Sequence, residues 1–158
     1  MNRSSAYTWQ YLLAIDLDHK AAGRESEAIY GVKPFGDCLQ QWLKRSPEVN
    51  VERIDTPLLI VGEGRASLLS MWKPYAALRY LHKPVDFVLL HTNEHILSNP
   101  TLLMASQDGS VDWFRFWLQG DEDPDPAKVD QYRRWEALCA MQRNEQPSKQ
   151  TFCVEPKP

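Results

Sequence analysis

No stretch of this 158-residue sequence approaches the roughly 20 consecutive apolar residues that a membrane-crossing helix needs; the longest candidates, residues 58–61 and 87–90, have the length of strands. Positive charge is not in excess either. Lysine and arginine number 18 against 21 acidic residues, a formal net charge of −3, which gives no electrostatic footprint for nucleic acid or an anionic membrane. Cysteine is sparse: Cys38, Cys139 and Cys153 are an odd number at wide spacing with no CxxC, which argues against a disulfide framework and against a zinc site. The first apolar stretch ends at Asp16 without a small-residue cleavage signal, so the start is a poor signal peptide. These absences favour a cytoplasmic, reducing setting, with neither nucleic acid nor membrane as partner. No serine lies in a nucleophile motif and no internal repeat is visible.

What is present centres on residues 54–95, which read as strand, loop, helix, strand and a loop carrying a histidine. Residues 57–61 have strand character, and Leu68, Leu69, Trp72, Tyr75, Ala76 and Leu78 share a helical face. Pro74 falls inside that pattern, so it either kinks the helix or occupies the first turn of a helix that starts later than Ala66. Residues 85–90 are a nearly continuous apolar run, as expected of a strand covered on both faces of a parallel sheet. Two such strands with a helix between them make an α/β fold. A chain of this length buries roughly 70% of its unfolded surface, so a single domain, residues 1–143, is expected.

The flanking segments are read more coarsely. Residues 6–17 lean towards helix, and the stretch after them reads as an irregular connection with one helical turn near residues 26–30 and no core face. Leu39, Trp42 and Leu43 lie at helical spacing, with Asp37 able to cap the start, Lys44 and Arg45 in the last turn, and Ser46-Pro47 as the stop. Downstream, Asn99-Pro100 opens a helix that is interrupted near Gly109 and resumes through Val111, Trp113, Phe114, Phe116, Trp117 and Leu118, whose aromatic area is expected to pack on the sheet. Gly120 closes it. Residues 121–126 are a solvated acidic turn, residues 127–143 a rim helix striped by Tyr132, Trp135, Leu138 and Met141, and residues 144–158 a polar, proline-rich tail expected to be disordered.

Chemistry is sought first at His95, because open α/β sheets place their sites at the carboxyl ends of strands. Glu63 and Arg65 follow the first strand and come near His95 if the strands are neighbours; a carboxylate there can orient an imidazole. His91 and His95 form a conceivable metal pair with Glu94 alone nearby, too few ligands, so no metal and no cofactor is expected. Gly62-Glu63-Gly64 is too short a match for a phosphate loop. His19 and His82 read as surface residues, and the aromatic run of residues 113–118 as core.

The order of these features, carried by IDTPLLIV, YAALRYLHKPVDFVLL, EHIL followed by NP, and ASQDGSVDWFRFWLQGDEDPDPAKVDQYRRW, resembles the C-terminal part of the catalytic domain of the prolyl oligopeptidase family of serine peptidases. The resemblance implies the last parallel strands of an α/β-hydrolase sheet, an incomplete domain. It places the general base on His95. Where that family offers an aspartate, this chain has GEGRAS, with Arg65 at the acid's position and Glu63 as the nearest carboxylate, so either Glu63 substitutes as the acid, or another carboxylate does, or the site is degenerate. No G-x-S-x-G is present, so the nucleophile is expected in a missing N-terminal part, and the chain as a fragment is expected to be inactive alone. A peptide is the implied substrate once that part is supplied. The alternative is a non-catalytic remnant that binds a protein partner, through the sheet edge left open. The sequence gives no signal for an oligomeric state.

Overall fold

The computed structural model describes residues 27–33, 35–92, 94, 96–145 and 152–154, and its contacts divide the chain into two compact units, Met1–Ile54 and Asp55–Pro158. The helix expected over residues 6–17, and His19 with it, lies outside the described residues.

In the first unit, residues 27–30 are helical. Gly31 ends that turn at φ 78°, its N–H donating to the Glu27 carbonyl at 2.6 Å, a conformation that costs glycine little because it has no Cβ. A 3-10 turn, Gly36–Cys38, leads into α1, Leu39–Arg45. Asp37 lies within that turn and does not cap α1, which starts without a side-chain cap bond. Tyr30 and Trp42 are buried and stack at 3.9 Å with 12° between their planes. The segment read as having no core face therefore supplies one; its partner is a tryptophan more than ten residues away, which local periodicity does not register. Trp42 donates its indole N–H to the Val32 carbonyl at 2.6 Å. Ser46, extended before Pro47 as expected, ends α1, and the Asn50 amide donates to the Leu43 and Ser46 carbonyls at 2.9 and 2.7 Å, satisfying the helix end.

In the second unit, β1, Leu58–Glu63, and β2, Val85–Leu90, pair in parallel, in a register that runs from Leu58↔Val85 to Glu63↔Leu90. The crossover is α2, Gly64–Tyr80. This is the βαβ step that the two apolar runs imply, a mixed helix and strand fold around a small parallel sheet. A Cβ on Gly62 would meet Phe87 Cε2 and Ser67 Cβ at 3.0 Å each, so only glycine lets α2 close this tightly on the strands. Because α2 begins at Gly64, Pro74 is interior, and the reading of a later start is corrected. The helix gives up one backbone hydrogen bond there, while Pro74 itself is buried. His82 stands at φ 52° just past α2; its N–H reaches the Arg79 carbonyl at 3.1 Å and that of Lys83 the Leu78 carbonyl at 2.9 Å, the paired bonds of a left-handed helix stop.

Helix α3, Pro100–Gln119, runs without a break through Gly109, correcting the expected interruption. One interior glycine costs about 1 kcal/mol, less than the burial of Trp113 and Trp117 on the same helix returns. Asn99 caps it, Oδ1 accepting from the Thr101 and Leu102 N–H groups at 2.9 and 3.4 Å; Gly120, at φ 69°, ends it. A short 3-10 turn, Pro126–Lys128, opens α4, Val129–Glu145.

Trp113 and Trp117 form the core with Tyr132, Trp135, Leu138 and Cys139 of α4, and Leu59 of β1 is the strand residue against it. The aromatic helix thus packs on α4 as well as against β1 of the sheet, and α4 is central rather than at the rim: Trp135 is 1% exposed. Its ring and that of Trp113 meet perpendicular, centroids 5.1 Å apart at 90°, a favoured aromatic geometry. Cys139 and Cys153 are joined as a disulfide, their Cα atoms 5.7 Å apart, and Phe152 and Cys153 lie against the same cluster. The cysteine spacing, read as arguing against a disulfide framework, is corrected by this bond, and with it the cysteine argument for a reducing setting.

Candidate functional site at the carboxyl ends of the strands

The register that places Glu63 opposite Leu90 brings the carboxyl ends of β1 and β2 level. Glu63 is the residue preceding α2, yet its side chain makes no capping bond, and its carboxylate has no hydrogen-bond or ion-pair partner among the described residues. Gly64, at φ 64°, turns the chain from strand into helix directly after it. Arg65, the other residue singled out, is exposed in the first turn of α2.

After β2 the chain passes through exposed His91 and then a set of short-range bonds. Thr92 donates its N–H to the Leu90 carbonyl at 2.9 Å and accepts from the Glu94 N–H on Oγ1 at 3.0 Å. Glu94 Oε2 accepts from both the N–H and the hydroxyl of Ser98, at 3.0 and 2.8 Å. The Ser98 N–H first, and its hydroxyl second, hold the Glu94 carboxyl below the usual carboxylate range. That leaves Glu94 committed to the turn. His95 lies outside the described residues. No group of three histidine, cysteine or acidic side chains that could hold a metal occurs among the described residues.

A cleft of about 260 Å³ is lined by Tyr75, Arg79, Val85, Asp86, Arg134 and Met141. It lies at the amino ends of the strands, away from Glu63, where open α/β sheets do not build their sites. Its carboxylate is structural: Asp86 Oδ2 accepts the Trp135 indole N–H at 2.7 Å.

A polar constellation that sequence reading missed joins α3 to α4. Lys128 Nζ lies 2.7 Å from Asp112 and 2.7 Å from Asp123, and the Gln131 amide donates to Asp112 at 3.2 Å. Asp112 is 4% exposed. Hydrogen bonds from Lys128 to Asp112 first, and to Asp123 second, raise the ammonium pKa. The Lys128 bond is also the main reason that Asp123 is held below the usual range. An aspartate within a run of tryptophans and phenylalanines was the available signal, since a buried carboxylate requires a partner. The network positions helices and leaves no carboxylate idle for catalysis.

A two-stranded parallel sheet with a crossover helix is a partial α/β architecture. No protein-family model matches the chain. It is 38% identical, over 107 residues, to the lasso peptide isopeptidase AtxE2 of Asticcacaulis excentricus, a match that takes 68% of this chain and 15% of that protein. Two solved structures of the AtxE2 isopeptidase agree with the fold. One is a serine-to-alanine variant with Astexin3-dC4 bound, at TM-score 0.61 and 35% identity, covering 78% of this chain and 18% of that one. The other is the apo form, at TM-score 0.60 and 36% identity with the same coverage. The chain is homologous to part of a peptidase and spans about 15% of the length of that curated relative.

Proposed function

We propose that this chain is the C-terminal segment of a prolyl-oligopeptidase-like serine peptidase that hydrolyses the isopeptide bond of a lasso-type peptide. His95 is the general base, and Glu63 is the carboxylate that orients its imidazole. The observation that carries the reading is the 38% identity to a lasso peptide isopeptidase.

In this mechanism a serine hydroxyl attacks the isopeptide carbonyl, the His95 imidazole takes its proton, and the same imidazole returns the proton to the departing amine. Glu63 suits the orienting role because, among the described residues, its carboxylate is spent neither on a helix cap nor on an ion pair. It also pairs in register with Leu90, and a segment from Leu90 to His95 reaches at most about 17 Å when extended, so the loop is long enough to bring the imidazole to it. Arg65 is unsuited, because a guanidinium has no acceptor for the imidazole N–H.

The 158 residues contain no G-x-S-x-G. The nucleophile and its oxyanion donors are therefore assigned to the larger portion of such a protein that this chain does not span. Treatment of the 158-residue chain with a fluorophosphonate tests this. No labelling is expected; stoichiometric labelling that disappears in His95→Ala would overturn the assignment of the serine.

A further inference from the structure

We propose that the cleft at the amino ends of the strands is a second binding site, apart from Glu63, and that it takes a small monocarboxylate with an apolar body. Its volume of about 260 Å³ lies just below the range of about 300–1,000 Å³ in which small-molecule sites fall, so the ligand is small. Two helices and a strand build it: Tyr75 and Arg79 come from α2, Asp86 from β2 and Arg134 from α4. Among the described residues, the Arg79 guanidinium and the Tyr75 hydroxyl have no hydrogen-bond or ion-pair partner. The Tyr75 ring lies against Trp72 and Phe87, its centroid 5.6 Å from each, so packing holds the ring while its hydroxyl stays unspent.

Charge and surface identify the ligand class. Arg79 and Arg134 bring two positive charges to the cleft and Asp86 one negative, a balance that a monoanion neutralises. Asp86 is already engaged by the Trp135 indole and the Phe87 N–H, at 2.7 and 3.0 Å. Arg134 lies 3.5 Å from Asp86 and donates to the Asp130 carbonyl at 3.2 Å. Arg79 is therefore the free fork, and a guanidinium fork matches the two oxygens of a carboxylate. The Asp86 charge in the same cleft repels a second negative charge, which disfavours phosphate and dicarboxylates. Val85, Leu138 and Met141 supply an apolar wall for the body of the ligand. An alkanoate and the C-terminal residue of a peptide both offer this chemistry. The site stands whether or not His95 acts as a base.

Isothermal titration calorimetry of the full 158-residue chain with hexanoate and with N-acetyl-leucine tests the proposal, the first standing for a free acid and the second for a peptide C-terminus. Saturable binding of at least one is expected, and the tighter of the two identifies the source. Hexanamide and N-acetyl-leucinamide, which lack the charge, and inorganic phosphate, which carries more of it, are expected to bind about tenfold more weakly or worse. Arg79→Ala should weaken the acid about tenfold or more, the weight of a charge-assisted hydrogen bond, with Arg79→Lys between it and the wild-type chain. Ala137→Trp, at an exposed position on the cleft wall, should block binding and keep its circular dichroism spectrum. Absence of saturable binding by either acid would overturn the proposal, as would an amide or phosphate that binds as tightly, or acid binding indifferent to Arg79→Ala or to Ala137→Trp.

Discussion

The indole N–H of Trp135 donates to Asp86 Oδ2 across 2.7 Å, and this one bond ties α4, the centre of the aromatic core, to the second residue of β2. Arg134 approaches the same oxygen at 3.5 Å, and the other carboxylate oxygen accepts the Phe87 N–H at 3.0 Å. Asp86 thus holds a helix, a strand amide and a cation in one arrangement. Asp86→Ala leaves the buried indole donor without an acceptor, and hydrogen bonds to charged groups are worth about 1.5–3 kcal/mol. A loss of that size is expected in urea unfolding. Trp135→Phe, which deletes the donor and keeps the ring, is expected to cost less than Trp135→Ala.

Gly62 is the point where α2 comes closest to the sheet. Gly62→Ala would press a methyl against Phe87 and Ser67 at 3.0 Å, and overpacking of this kind costs about 1–3 kcal/mol. The melting temperature of Gly62→Ala is expected to fall, whereas Gly109→Ala, where a Cβ meets nothing within 4 Å, is expected to raise it.

Acid should act through the Lys128 network. Asp123 titrates below its usual range because of Lys128, so its folded pKa lies under its unfolded one. Its contribution to stability is complete above the unfolded value of about 4 and is lost as pH falls through the folded value. Lys128 is shifted up, so its share is complete below its own unfolded value and lost only as pH rises through the folded one. At neutral pH both are intact. Lys128→Met should therefore lower stability at pH 7 and flatten its decline on acidification. A decline as steep as that of the wild-type chain would contradict the assignment.

Much of this was open to reading in the sequence, and what was not has a common cause. The two strands announce themselves because residues 58–61 and 85–90 are apolar and rich in branched side chains, which no helix face requires. Asn99-Pro100 and Gly120 bracket α3 because capping chemistry is local. The closure of Tyr30 on Trp42, of Asp86 on Trp135 and of Lys128 on Asp112 was hidden, since each joins residues whose proximity only tertiary packing creates. Pro74 and Gly109 misled for the same reason: the cost of each is local, but the burial that outweighs it comes from other elements. Glu63 was legible as a candidate because its position at the end of a strand is local too, and the pairing with Leu90 supports that placement.

The Cys139–Cys153 bond closes a loop across a sequence separation of 14 residues, for which the chain-entropy estimate is about 3 kcal/mol. Reduction with dithiothreitol should lower the melting temperature, and Cys139→Ser should reproduce the loss and abolish any further response to the reductant. A melting temperature indifferent to reductant would contradict a stabilising role.

The assignment of His95 as general base is tested most directly in a chimera, AtxE2 carrying residues 55–145 of this chain in place of its matching segment, with hydrolysis of a lasso peptide followed by mass spectrometry. The parent chimera is expected to cleave the isopeptide bond. His95→Ala should still bind the peptide but lose turnover by a factor on the order of 10⁶, and Glu63→Gln by a smaller factor, on the order of 10⁴ if it is the sole orienting acid. A folded, peptide-binding His95→Ala chimera that turns over as fast as its parent would contradict the account.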